Sequence, residues 1–156
     1  MIKNYKFTGE TKVVNGVTLK QIECEEYGVG GWIESEKNLA QEGTCWVSND
    51  AMVYGNAKVY GGARVFGSAE VYGNAEVCGS AGVSENARIY GNAYVWGLAQ
   101  IWGNARVYDS AEISSYSKVY GNAEICGRSK IAGYSIIYGN AKVRGKKLCG
   151  YNVINN

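Results

Sequence analysis

The sequence predicts an all-β protein: a left-handed parallel β-helix of about six triangular coils, built from hexapeptide repeats and preceded by an N-terminal β-hairpin and cap. Three observations predict it. Val or Ile recurs every six residues from Val47 to Val143, through 17 consecutive hexads. The fifth position of the hexad is Ala or Ser in 16 of the 17 and fails only at Lys147. The third is Gly in 13 of the 17, with Asn49, Glu85, Asp109 and Ser115 as the exceptions.

Residues 1–46 precede the repeat and read as a β-rich cap. Two strand-like runs, Tyr5 to Lys12 and Val17 to Ile22, flank Asn15-Gly16, the dipeptide that favours a tight hairpin turn. A cap is needed physically, because an open terminal coil would offer unpaired strand edges to other chains. Gly28-Val29-Gly30 lacks the strand–GxGxxG–helix context of a phosphate loop and is read as part of this cap.

Residues 47–148 form the β-helix. The fifth residue of one hexad and the first of the next are two apart, so a strand turns both to the same side. Ala and Val or Ile therefore face inward, and the residues around them face outward. Gly at the third position, followed most often by Asn, supplies a corner, since both residues tolerate positive φ. Three strands and three corners close an 18-residue coil, and coils stack as in-register parallel strands. Residues 149–156 are expected to close the far end.

This spacing resembles the hexapeptide-repeat family of left-handed β-helices over about two-thirds of the chain. Gly30-Gly31-Trp32-Ile33-Glu34-Ser35-Glu36, Asn38-Leu39 and Gly43-Thr44-Cys45-Trp46-Val47, followed by Val-Tyr-Gly-Asn-Ala repeats, resemble YdcK-like proteins of bacteria and phages over nearly its whole length. Relatives on this fold are commonly acyltransferases with a histidine base, or carbonic anhydrases with histidine-held zinc. The chain has no histidine. Imidazole suits proton abstraction near neutral pH and is the usual catalytic zinc ligand, so both routes lose their expected residue. No catalytic residue, metal or cofactor is expected.

Other classes are excluded on similar grounds. All four threonines (Thr8, Thr11, Thr18, Thr44) precede the repeat, so no Thr-ladder ice-binding face exists. A net charge of +2 is too mild for a nucleic-acid footprint, and Lys142, Arg144, Lys146 and Lys147 read as a solvated terminus. No membrane association is expected. The first residues carry no apolar run, so no leader is expected, and five cysteines without clustered spacing read as reduced thiols of a cytoplasmic protein.

What remains is the surface. Residues 18 apart stack, which gives two corners their asparagine columns: Asn56, Asn74 and Asn92, and Asn86, Asn104, Asn122 and Asn140. The third corner carries Leu98, Tyr116 and Tyr134. Beside it lie Tyr94 and Trp96 on one face, and Trp102, Lys118, Tyr120, Ile136 and Tyr138 on the other. Large apolar groups there are not required by the turn and mark an interface. A fourth column, Tyr54, Tyr72, Tyr90 and Tyr108, reads instead as structural shielding of the sheet. The expectation is a homo-oligomer, trimer or dimer, joined at the third corner. Its expected function is non-enzymatic binding, as a phage-encoded inhibitor or sequestering protein acting on a host protein or a nucleotide-like ligand. Arg64, Arg106 or Lys118 would then meet phosphate while Tyr94, Trp96 and Trp102 stack on a base. The alternatives are a divergent acyltransferase or a purely structural scaffold.

Overall fold

The structure, a computed structural model, describes residues 5–156. Residues 1–4, on which the expected lack of a leader partly rests, lie outside the described residues. Strands β1 (Lys6–Val14) and β2 (Val17–Cys24) pair antiparallel, and the chain reverses at Asn15-Gly16 with φ of 51° and 77°. Strand β3 (Gly28–Ile33) lies antiparallel to β2 on one side and parallel to Met52–Val53 on the other. The hairpin thus continues one face of the solenoid and occupies the edge that its first coil would leave unpaired.

Three stacked parallel sheets make up the rest. The first face carries nine strands, ordered from β1, β2 and β3 through Met52–Val53 down to Lys142–Arg144. Six strands from Lys58–Val59 to Lys147–Leu148 form the second. Seven strands from Trp46–Val47 to Val153–Asn155 form the third. Neighbours within a face are in register at 18 residues, as in Arg88 opposite Arg106 and Val83 opposite Ile101. Between coils the outward residue donates its N–H to the coil below, as Lys58 does to the Ala75 carbonyl at 3.0 Å.

The seven strands of the third face mark about seven turns, against the six read from the hexads. Irregular coils at both ends account for the difference. Ile33 pairs with Val53 and Leu39 with Val59, each 20 residues apart, because two extra residues enter the loop between Leu39 and Val47. At the other end Leu148 pairs with Ile131 and Ile154 with Ile137, 17 residues apart, because one residue is missing between Val143 and Leu148. The deletion turns Lys147 outward and Leu148 inward, and residues 149–156 run on as the last strand of the third face.

The core is a column of Val, Ile and Ala, nearly all fully buried. Burial of those branched side chains on every strand is the main stabilising contribution. At the N-terminal end Tyr5, Ile22, Ile33, Leu39, Cys45 and Trp46 plug the interior. The Tyr5 hydroxyl donates to the Leu39 carbonyl at 2.7 Å, and its ring meets Trp46 edge-on at 6.4 Å. Gly31 is required at its place, because a Cβ there would lie 2.6 Å from the Ala51 carbonyl oxygen. Asn38, fully buried, bridges the first regular corner by donating to the Gly55 and Ala57 carbonyls at 3.1 and 2.9 Å.

The corners behave as the hexad predicts. Four non-glycine residues replace the corner glycine and all lie at positive φ: Asn49 (57°), Glu85 (56°), Asp109 (58°) and Ser115 (60°). The asparagine columns are hydrogen-bonded ladders, with Nδ2 to Oδ1 distances of 3.2 and 3.1 Å from Asn56 to Asn74 to Asn92. The second ladder, Asn86 to Asn140, has steps of 3.3, 3.0 and 3.0 Å.

Candidate binding surface

At the corner between the second and third faces, stacking at coil spacing brings together the residues the repeat places there. Leu98, Tyr116 and Tyr134 are 44, 51 and 48% exposed, and Tyr151 below them is 85% exposed. The Tyr116–Tyr134 and Tyr134–Tyr151 ring centroids lie 4.9 and 5.0 Å apart, with planes inclined by 5° and 9°. Trp96 on the second face and Val153 on the third extend this edge, both well exposed. Ile136 and Lys118 stand on the strands that leave the corner along the third face.

A second ring stack lies across the third face, one outward position further from the corner. Trp102, Tyr120 and Tyr138 are half-buried, with centroid distances of 4.5 and 5.2 Å and planes within 10°. The Tyr138 hydroxyl accepts a hydrogen bond from Asn155 Nδ2 at 2.9 Å. The Lys118 and Ile136 column therefore separates two aromatic stacks.

The remaining predicted residues stand elsewhere. Arg106 is on the first face, 4.0 Å from Glu124, and Arg64 spends its guanidinium over the Tyr27 ring at 4.8 Å. Tyr94 sits at the start of the second-face strand, its oxygen accepting from the Cys78 thiol at 3.4 Å. That hydrogen bond is the first cause holding its phenol above the ordinary value. Tyr94 and Trp96 come together on the second face, with ring centroids 6.2 Å apart and planes inclined by 25°, while Trp102 belongs to the third sheet.

Both cysteines of the repeat point outward yet are buried. Cys78 lies on the second face within reach of Tyr94, and Cys126 on the first beside Tyr108. Tyr108 is pushed up to about 12, first by its hydrogen bond with Cys126 and then by burial. Among the described residues no three His, Cys, Asp or Glu side chains converge to hold a metal. A shallow depression of about 240 Å³ at the first corner is lined by Asn74, Glu76, Asn92, Ala93 and Tyr94. Its polar groups are already used: Asn74 donates to Asn92, and Glu76 accepts from Tyr60 at 2.9 Å.

Sequence reasoning missed Tyr151 and Val153. Their signal is the one-residue deletion before Leu148, which brings Tyr151 into the Tyr134 column at a step of 17.

The YdcK β-solenoid repeat model matches residues 99–114, a stretch running from Ala99 through Trp102, Arg106 and Tyr108 to Ser114. Together with the seven-turn stack of parallel strands, that 16-residue match supports a YdcK-like repeat protein. No curated protein matches it. The matched segment of this YdcK-like solenoid covers one strand from each face, so it reports the repeat and its corners. The exposed edge lies mostly C-terminal to it, at Tyr116, Tyr134 and Tyr151. No helix among the described residues is long and apolar enough to cross a membrane.

Proposed function

We propose that this YdcK-like solenoid is a non-catalytic binding protein whose working surface is the corner between its second and third faces. The edge joins the chain to a second copy, and the joined surface occludes a host protein or holds a nucleotide-like molecule, as a phage-encoded inhibitor would. One observation carries the reading: four large side chains, Leu98, Tyr116, Tyr134 and Tyr151, stack in line and stay 44–85% exposed. Exposed apolar surface concentrated on one edge, with Trp96, Ile136 and Val153 alongside, has the aromatic enrichment of interface cores. The chain's lack of histidine supports the non-catalytic half of the proposal. Five free cysteines fit a reducing compartment such as the cytoplasm.

The test is native mass spectrometry of the protein purified from expressing cells, beside the Tyr116→Lys/Tyr134→Lys variant. The wild type should carry a second copy, a host polypeptide or a nucleotide-sized mass, and the variant should lose it while staying folded. A bare single chain in both preparations would end the proposal. A thermal upshift with coenzyme A would instead favour the divergent acyltransferase.

A further inference from the structure

The outer column of the third face, next to the corner with the first face, reads Ser48, Phe66, Ser84, Trp102, Tyr120, Tyr138. From Trp102 downward the column is a continuous ring stack, with centroid steps of 4.5 and 5.2 Å. At Ser84 the ring is missing. Two coil spacings separate Phe66 from Trp102, about 9.6 Å by the spacing of paired strands. One more ring at the column's own pitch fills that distance. Phe66, with serines above and below it, is 42% exposed.

The gap has a closed side and an open side. Gly82 adjoins Ser84, and the Gln100 side-chain amide folds over the space its missing Cβ leaves. Gln100 thus covers the Gly82 position and leaves the Ser84 position open. Next to it stands Glu85, held at a φ of 56° where most hexads have glycine. Such a conformation is unfavourable for a non-glycine residue. At two other such corners the side chain recovers a hydrogen bond from the coil below. Asp109 Oδ2 accepts from Gly127 N–H at 3.0 Å, and Asn49 Oδ1 from Gly67 N–H at 3.4 Å. Glu85 makes no such bond, and this exposed residue directly follows Ser84 in the chain. Among the described residues, the side chains of Ser84, Gln100 and Glu85 make no hydrogen bond, so polar groups on neighbouring positions are open beside the place of the missing ring.

We propose that this gap is a binding slot for a planar aromatic heterocycle bearing N–H donors, of the size of a purine base. The heterocycle takes the missing place in the column, its faces against Phe66 and Trp102 in the offset stacking that Trp102 already makes with Tyr120. Its N–H donors meet the Glu85 carboxylate, and its remaining edge meets the Gln100 amide and the Ser84 hydroxyl. An acidic rim selects bases with exocyclic amino groups over those with carbonyls alone. The slot lies across the third face from the Leu98/Tyr116/Tyr134 edge, so it stands or falls separately from the function proposed above.

The experiment titrates the full chain with guanosine, adenosine and uridine, read by tryptophan fluorescence and by ligand-observed saturation-transfer NMR. The purine nucleosides should bind at millimolar concentration or below and should outcompete uridine. Ser84→Tyr supplies the missing ring from the protein itself. It should weaken purine binding about tenfold or more while leaving the melting temperature unchanged or higher. Trp102→Leu removes one wall and should weaken binding to a similar degree, which keeps the test decisive if the tyrosine variant does not fold. Glu85→Gln should reduce the preference for purines over uridine several-fold. Absence of purine binding to the wild type overturns the proposal, as does equal binding by wild type, Ser84→Tyr and Trp102→Leu.

Discussion

Two tyrosine columns run down this solenoid, and they differ in what surrounds them rather than in how they stack. On the first face Tyr54, Tyr72, Tyr90 and Tyr108 have centroids 5.0–5.1 Å apart and planes within 4°. At the corner between the second and third faces Tyr116, Tyr134 and Tyr151 stack at 4.9 and 5.0 Å. The repeat sets this spacing in both places, because coils are a fixed strand distance apart. Beside the first column, however, runs a line of charges that complement one another. Arg88 lies 3.4 Å from Glu70, Arg106 is 4.0 Å from Glu124, and Lys142 is 3.8 Å from the same carboxylate. Tyr54 and Tyr108 donate their hydroxyls to Glu70 and Glu124 at 3.2 and 3.4 Å. The first column is woven into the sheet, whereas the corner column has no such flank and presents its ring edges to solvent. Stacking alone therefore does not distinguish a buttressed column from an exposed one; the flanking columns do.

The contrast makes graded predictions. Tyr72→Ala opens a hole in the buttressed column and should cost about 2–3 kcal/mol in urea unfolding, since it removes two ring contacts and half-buried apolar area. Tyr134→Ala, made in the exposed column, should cost under about 1 kcal/mol at a concentration where the protein is dissociated. Equal losses would dissolve the distinction between the columns. A smaller effect should come from Glu70→Gln. That change keeps a hydrogen-bond acceptor for Tyr54 but removes the ion pair with Arg88, which is only partly shielded, so about 0.5 kcal/mol is expected, shrinking with added salt.

Alkaline titration reads the same contrast differently. Burial, followed by the Glu70 charge, pushes Tyr54 from 10.0 to about 12, and Tyr108 reaches about 12 through Cys126 and burial. The folded state then holds protons that the unfolded chain has released. Stability should be flat below about pH 10 and fall between pH 10 and 12. The Tyr54→Phe/Tyr108→Phe variant should flatten part of that fall, as followed by denaturant midpoints across the range.

The interior of this fold is legible in the sequence because its geometry admits little else. Each strand has room for one small and one branched side chain, so Ala57 and Val59 or Ala87 and Ile89 announce the coil by type and spacing. The ends are less legible for the same reason. A fixed period of six passes over the two extra residues after Leu39 and the one missing before Leu148, and it misses Tyr151 with them. Leu98, Tyr116 and Tyr134 were readable as a corner column, because outward positions repeat faithfully. What the period cannot show is which outward side chain leans over its neighbour. Cys78 and Cys126 are numbered as surface residues yet lie beneath tyrosines, and Arg64 is drawn to Tyr27 by the folding of the cap. Those contacts depend on rotamers and loops, which have no periodicity to read.

Light scattering on the size-excluded protein at tens of micromolar tests the exposed edge most directly. The wild type should elute with a mass that is a multiple of 16.9 kDa, and Tyr116→Lys/Tyr134→Lys should elute at 16.9 kDa with an unchanged circular dichroism spectrum. A wild type that already runs as a single chain, or a double variant that stays associated, would contradict the assignment of that corner as the interface.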